Sequence, residues 1–238
     1  MRIDRLEIAD YRIYQDDGLF RFGTDAVLLY NFAPEKCGNT VDLCSGNGAV
    51  ALLLLAGGKT QHITTLEILE KGCTLCRDSA RLNGCEDKMN ILHGNLCHID
   101  ALLPAESFDT VTVNPPYFKR GCGLLPDEKA LAVARHEVEC TIDDVLHAAR
   151  YLLKENGTLC MVHRRHRMAE ILNKLALFDL RADEVCSVHT LPDKEGPLFL
   201  LRAVKTQQAL RCKQTTFTVM NDDHSLSAEY QAIYQQGE

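Results

Sequence analysis

From residue 40 onward, short runs of β-branched and aliphatic residues alternate with longer stretches of helical periodicity. Thr40-Val41-Asp42-Leu43-Cys44 reads as a buried strand, Ser45-Gly46-Asn47-Gly48 as a tight glycine turn, and Ala49–Ala56 as a helix stopped by Gly57-Gly58. A second strand, His62–Leu66, leads to Glu67 and a helix over Glu70–Leu82 that ends at Asn83-Gly84. Met89–His93 and Phe108–Val113 have the pattern of a third and a fourth strand, the latter followed by an irregular polar segment to about Cys140. Thr141-Ile142-Asp143-Asp144 is an N-cap signal for a helix reaching Leu153, and Asn156-Gly157 predicts a turn into a fifth strand over Thr158–Val162. A helix over Arg167–Leu177 precedes two strands, near Arg181–Thr190 and Leu198–Val204, joined through Pro192–Pro197. Strand–helix alternation ending in two strands without a helix between them predicts an α/β fold. The expected sheet is mostly parallel and seven-stranded, with an antiparallel hairpin at the C-terminal end and helices on both faces.

The ends of the chain carry weaker patterns. Tyr11–Tyr14 and Leu19–Phe22 are two short alternating runs split by Asp16-Asp17-Gly18, a hairpin signal. Gly23-Thr24-Asp25 precedes an apolar stretch, Ala26–Phe32, so Thr24 or Asp25 is expected to cap a short helix ending before Pro34. Capping and a ligand role explain these two polar residues equally well. Three parts are expected: residues 1–34 as a hairpin and short helix on the core, 35–206 as the main domain, and 207–238 as a tail or a final strand around Thr216–Met220.

Composition narrows the class. A hydrophobic content of 46% and a charged content of 25% are those of an ordinary globular protein. The longest apolar run, Ala49–Ala56, is too short to span a bilayer, and Met1-Arg2-Ile3-Asp4-Arg5 lacks the pattern of a signal peptide, so a cytoplasmic location is expected. Eleven cysteines without an export signal point to reduced thiols. A net charge of −7 is unfavourable for a nucleic-acid binder unless cations cluster locally. Three clusters qualify: His163-Arg164-Arg165-His166-Arg167, Lys119-Arg120, and Arg202/Lys205/Arg211/Lys213.

Ligands of open α/β sheets bind beyond the carboxyl ends of the strands, where strand order reverses. Asp42 with Gly46 and Gly48, then Glu67, Asn95 and Asn114 all fall at such ends, one group from each of the first four strands. Glu67 lies nineteen residues past Gly48, the place of an acidic residue that accepts hydrogen bonds from ribose hydroxyls. Asn114-Pro115-Pro116-Tyr117 follows the fourth strand directly. Its prolines fix φ and remove two N–H donors, so backbone carbonyls face outward; Asn114 adds an amide and Tyr117 a flat face. This loop suits a planar group carrying –NH2, either a nucleobase amine or a glutamine amide.

Residues 42–48 resemble the S-adenosylmethionine-binding motif of class I methyltransferases, and residues 114–117 resemble their amino-methylating signature. Phe22–Leu29 and Ala134-Arg135-His136-Glu137 extend the resemblance to bacterial adenine-N6-methyltransferases of valine tRNA, over about residues 10–205. The resemblance implies a Rossmann-like fold, S-adenosylmethionine as cofactor without a metal, and an RNA substrate, most simply a tRNA methylated next to its anticodon. It also implies cofactor contacts from Thr24, Asp25, Asp42, Cys44, Gly46, Gly48, Glu67, Ile68, Asn95 and Asn114. Catalysis would fall to Asn114, Pro115, Pro116 and Tyr117, and substrate binding to Tyr117, Phe118, Lys119, Arg120, Arg135 and His136. The chain departs from the family pattern at Cys44, where many members have glycine, and at Asn95, where an aspartate commonly meets the cofactor adenine.

Other chemistries fit less of the chain. Cys73-Thr74-Leu75-Cys76 with His93, Cys97 and His98 suggests zinc, but the pair falls within a helix and the remaining ligands lack ordinary spacing. Methylation of a release-factor glutamine and of guanine N2 in rRNA are alternative reactions for the same loop, and an inactive RNA-binding subunit is the alternative outside catalysis.

Overall fold

The computed structural model describes residues 1–6, 8–16, 22–115 and 140–235. A two-stranded ribbon, β1 (Arg2–Arg5) and β2 (Arg12–Gln15), opens the chain, followed by helix α1 (Thr24–Phe32). Then come β3 (Thr40–Leu43), α2 (Ala49–Ala56), β4 (Ile63–Glu67), α3 (Glu70–Leu82), β5 (Met89–His93), the short α4 (Ile99–Leu102) and β6 (Phe108–Val113). After residue 140 the order is α5 (Ile142–Leu152), β7 (Leu153–Arg164), α6 (Met168–Leu175), β8 (Leu180–Leu191), β9 (Lys194–Lys205), β10 (Lys213–Thr218) and α7 (Ala228–Tyr234). One eight-stranded sheet runs β10-β8-β9-β7-β6-β3-β4-β5. Strands β5, β4, β3, β6 and β7 are mutually parallel, and β9 is antiparallel to both neighbours. This is the Rossmann-like arrangement, with the expected C-terminal hairpin at β8 and β9.

Central strands bury both faces, which explains their unbroken apolar runs. All four residues of β3 are buried, and along β7 Leu159 and Met161 join one hydrophobic cluster while Cys160 and Val162 join the other. Helix α2 is apolar all round because nearly all of it is buried. Thr141 and Asp144 form the capping box that starts α5: the Thr141 N–H donates to Asp144 Oδ2 at 2.7 Å and the Asp144 N–H to Thr141 Oγ1 at 3.3 Å. After β3 the chain steps to β4 on one side, and β6 returns on the other. The switch point therefore lies between the ends of β3 and β6, carrying Asp42 and Asn114.

Several local expectations change. Arg12–Gln15 pairs with Arg2–Arg5, a strand that its charged, four-residue pattern concealed, while residues 17–21 of the expected hairpin lie outside the described residues. Asn156-Gly157 does not reverse the chain. Asn156 takes φ 64° and the ladder with β6 shifts register there, so the pair forms an irregularity inside one continuous strand. The polar C-terminal stretch adds β10, parallel to β8, with α7 after it. Neither Thr24 nor Asp25 caps α1; Gly23 holds that position without a side-chain bond. Of the third basic cluster, Arg202 pairs with Glu184 at 2.8 Å and lies over the Phe32 ring, and buried Lys205 binds Glu106 at 2.9 Å. These two cations hold the fold together, because a long side chain buries its stem only when its charge keeps a partner, here Glu184 for Arg202 and, for Lys205, Glu106 at the surface with the Leu153 carbonyl inside at 2.8 Å.

Candidate active site at the sheet switch point

The glycine loop after β3 and the tip of β4 form one unit. The Gly46 N–H donates to Glu67 Oε2 at 2.7 Å, and the Leu69 N–H donates to Oε1 at 2.9 Å. Two backbone donors therefore aim a buried carboxylate and leave each oxygen a further lone pair. Gly46 takes φ 56° with open space where a side chain would stand, so a ligand can approach its backbone. Gly48 has a different constraint: at φ 84°, a Cβ there would sit 2.4 Å from Cys76 Sγ. The buried Asn47 donates its Nδ2 to the Tyr14 carbonyl at 3.0 Å, tying the loop to β2.

Asp42 is fully buried between Thr65 on β4 and Thr112 on β6, at one level of three adjacent strands. Thr112 Oγ1 donates to its Oδ1 at 2.7 Å, and Oδ2 has no partner among the described residues. Burial pushes the carboxyl up to about 7, opposed by the Thr112 hydrogen bond and reinforced by the charge of Glu67. Cys44, in the place of a family glycine, adopts φ 55°, the left-handed region that favours glycine. The Cys140 thiol's hydrogen bond, with burial, holds the Cys44 thiol well above its ordinary range, so it stays protonated.

At the end of β6, Asn114 Nδ2 donates to Asp25 Oδ2 at 3.1 Å, while Asp25 Oδ1 accepts the Ala26 N–H at 3.0 Å. Asp25 is buried in the first turn of α1, where the helix dipole favours a carboxylate. A carboxylate only accepts, so it must take the nitrogen side of the amide, and Asn114 Oδ1 is turned away from it. The structure thus links Asp25 to Asn114. Thr24, by contrast, is exposed.

The remaining sites fall around this centre. Asn95 caps a short 3-10 turn, its Oδ1 accepting the Cys97 N–H at 2.9 Å. Ile68 is half-buried directly after Glu67, and its carbonyl lies 2.9 Å from His93 Nε2. Pro115 is described; Pro116, Tyr117, Phe118, Lys119, Arg120, Arg135, His136 and Glu137 lie outside the described residues. Cys73 and Cys76 are both buried on α3, with Cys73 Sγ donating to the carbonyls of Glu67 and Leu92 at 3.6 Å. Among the described residues no three His, Cys, Asp or Glu side chains come together to hold a metal ion.

Three contributors escaped the sequence reading. A Cβ on Gly72 would meet Glu67 Cγ and the Gly46 carbonyl oxygen at 2.9 Å, so this glycine lets α3 close on the loop. A glycine in the first turn of a helix was the available signal. Thr112 was concealed because threonine is ordinary in strands, and Cys140 because nothing marks its partner in sequence.

A profile of the methyltransferase small domain matches residues 16–179, which include the glycine loop, Glu67 and Asn114. The chain belongs to this family. The methyltransferase is 27% identical over 202 residues to the tRNA1(Val) (adenine(37)-N6)-methyltransferase of Porphyromonas gingivalis, covering 82% of this chain and 78% of that one. Against the enzyme of the same name from Histophilus somni, identity is 26% over 227 residues, 94% of this chain and 93% of the other. In three dimensions the methyltransferase resembles a predicted O-methyltransferase from Agrobacterium tumefaciens, with TM-score 0.68, 21% identity, and coverage of 90% and 96% of the two chains. That likeness is one of fold. Among the described residues, no helix is long and apolar enough to cross a membrane.

Proposed function

We propose that this methyltransferase uses S-adenosylmethionine to methylate N6 of an adenine in RNA, next to the anticodon of a valine tRNA, in the cytoplasm. The observation that carries the reading is the Asp25–Asn114 hydrogen bond at the switch point, which holds the amide nitrogen of Asn114 on Asp25 and so keeps its amide oxygen on the side away from that carboxylate. Similarity to tRNA adenine-N6-methyltransferases along most of the chain supports adenine as the acceptor.

The residues present fit the cofactor. Gly46 offers open backbone, Glu67 two oriented acceptor oxygens for ribose hydroxyls, and Asp42 Oδ2 a buried polar atom without a partner among the described residues. Ile68 and Asn95 would flank an adenine ring, Asn95 through its Nδ2 because Oδ1 already serves the Cys97 N–H. When bound, S-adenosylmethionine supplies an electrophilic methyl on a sulfonium whose departure as a thioether is neutral. The protein therefore has no developing anion to stabilise. Its work is to expose a lone pair that the adenine ring otherwise delocalises. Asn114 Oδ1 and the Pro115 carbonyl each accept one N6–H, drawing the nitrogen toward a tetrahedral shape. Orientation of this kind supplies about 7–11 kcal/mol in favourable cases. The proton is lost to solvent, with no general base assigned. The resemblance adds Pro116 and Tyr117 to the catalytic loop, with Tyr117 and Phe118 stacking on a base turned out of its loop and Lys119, Arg120, Arg135 and His136 meeting the RNA.

Asn114→Ala tests this. Methyl transfer to RNA should vanish while calorimetric cofactor affinity stays within about twofold, since the substitution removes an acceptor and leaves the glycine loop intact. Turnover near the wild-type rate would end the role given to Asn114.

A further inference from the structure

We infer that a cavity at the end of β7 is a binding subsite for a phosphodiester of the RNA substrate, flanking the target nucleotide; the inference rests on the RNA reading above. The cavity has a volume of about 590 Å³ and is lined by Arg164, Arg165, His166, Met168, Ala169 and Pro197. Strand register puts it beside the active site. Val113 of β6 pairs with Met161 of β7, so Asn114 is level with Val162 and Arg164 lies two residues farther out on the adjacent strand. At strand spacing the two backbones are about 8 Å apart, within reach of a neighbouring nucleotide. Both sit on the carboxyl edge of the parallel strands.

Two arginines and a histidine line the cavity. Arg165 grips Glu195 with both terminal nitrogens, so a phosphate meets this arginine by displacing that carboxylate, and its Nε is a buried donor with no partner among the described residues. Arg164 is half-buried at the end of the strand, and its N–H is held by Nδ1 of buried His163 at 2.7 Å. Burial and the neighbouring charge of Arg167 push His163 down to about 4, so it supports Arg164 as a neutral acceptor. Arg167 is itself buried and tied to Glu170 at 2.8 Å, so it stiffens the turn. Arginine forks match phosphate oxygens in two directions, and the apolar walls from Met168, Ala169 and Pro197 suit a sugar or base edge and not a hydrated metal. A chain with net charge −7 needs such a local cation site to meet RNA at all.

The test varies a valine-tRNA anticodon stem–loop transcript in steady-state methylation, with cofactor affinity and thermal melting measured in parallel. Arg164→Gln and Arg165→Gln should each raise KM for the RNA about tenfold, leave kcat and cofactor affinity within about twofold, and flatten the salt dependence of binding by about 0.7 in log–log slope for each phosphate no longer held. Glu195→Gln removes the competing carboxylate while keeping every cation, and should lower KM for the RNA. Unchanged KM and salt slope in the arginine variants, or parallel loss of RNA and cofactor affinity, would overturn the subsite while leaving adenine methylation standing. A wild-type enzyme that methylates no RNA would overturn both readings at once, and that arm needs no variant.

Discussion

Asp25 shares its carboxylate between the Ala26 N–H, at 3.0 Å, and Asn114 Nδ2, at 3.1 Å. Asp25→Asn preserves size and exchanges one acceptor oxygen for a donor amide. If the new amide keeps its oxygen on the Ala26 N–H, its –NH2 faces the –NH2 of Asn114. Two donors then oppose each other, and Asn114 relieves the conflict by rotating its amide half a turn, which puts Nδ2 where Oδ1 should receive the substrate amine. If the new amide rotates instead, the Ala26 N–H loses its side-chain acceptor. A hydrogen bond to a charged group contributes about 1.5–3 kcal/mol, so kcat should fall about tenfold to a hundredfold. Cofactor affinity should change little, since the glycine loop and Glu67 are held by other contacts. Single-turnover methylation at saturating cofactor and RNA reads the chemical step, and calorimetry reads cofactor binding. A variant with wild-type melting and single-turnover rate within about twofold of wild type would refute the orienting role. A variant whose cofactor affinity collapses would instead place Asp25 in the cofactor site.

Glu67→Gln keeps the shape of the β4 tip but puts a donor against the Gly46 or Leu69 N–H, so cofactor affinity by calorimetry should weaken by about tenfold or more; unchanged affinity would reject the ribose assignment. Asp42 makes stability depend on pH. Between about pH 4 and 7 native Asp42 keeps a proton that the unfolded chain has already released, so its contribution falls as pH rises through that window and levels off above it. Asp42→Asn removes this slope and should gain on the wild type by as much as roughly 4 kcal/mol between pH 4 and 8. His163 works in the opposite direction, its contribution being lost as pH falls through 6.5 toward 4, but it is common to both proteins and cancels in the difference. Denaturant midpoints that run parallel across the range would contradict the burial argument.

Period and punctuation made most of the sheet legible. The buried runs at 40–44, 62–66 and 108–113 and the glycine turn between the first two are strong local signals, and their pattern alone puts Asp42, Glu67 and Asn114 at strand ends. Pairing across distance was less legible. Nothing in Arg2–Arg5 announces a strand, because its stability comes from β2 and from the docking of β2 on α3, where the Tyr14 N–H meets Ser79 Oγ at 2.9 Å. Asn156-Gly157 has the chemistry of a turn, yet the same tolerance of positive φ serves an irregularity inside a strand. At the site, Asp25 and Asn114 were each visible as polar residues at element ends, but a bond spanning 89 positions has no local signature. Basic clusters divided by place: Arg202 and Lys205 pair within the fold, whereas Arg164 and Arg165, the latter also held by Glu195, line a cavity, and composition alone treats them alike.

The central claim is that Asn114, oriented by Asp25, receives an adenine amine of RNA. Incubating the protein with methyl-labelled S-adenosylmethionine and separate pools of tRNA, rRNA and release factor, followed by nucleoside and amino-acid analysis, tests it directly. Label is expected in N6-methyladenosine from the tRNA pool and should disappear with Asn114→Ala. Label in a glutamine of the release factor, or in guanine from rRNA, would contradict the claim.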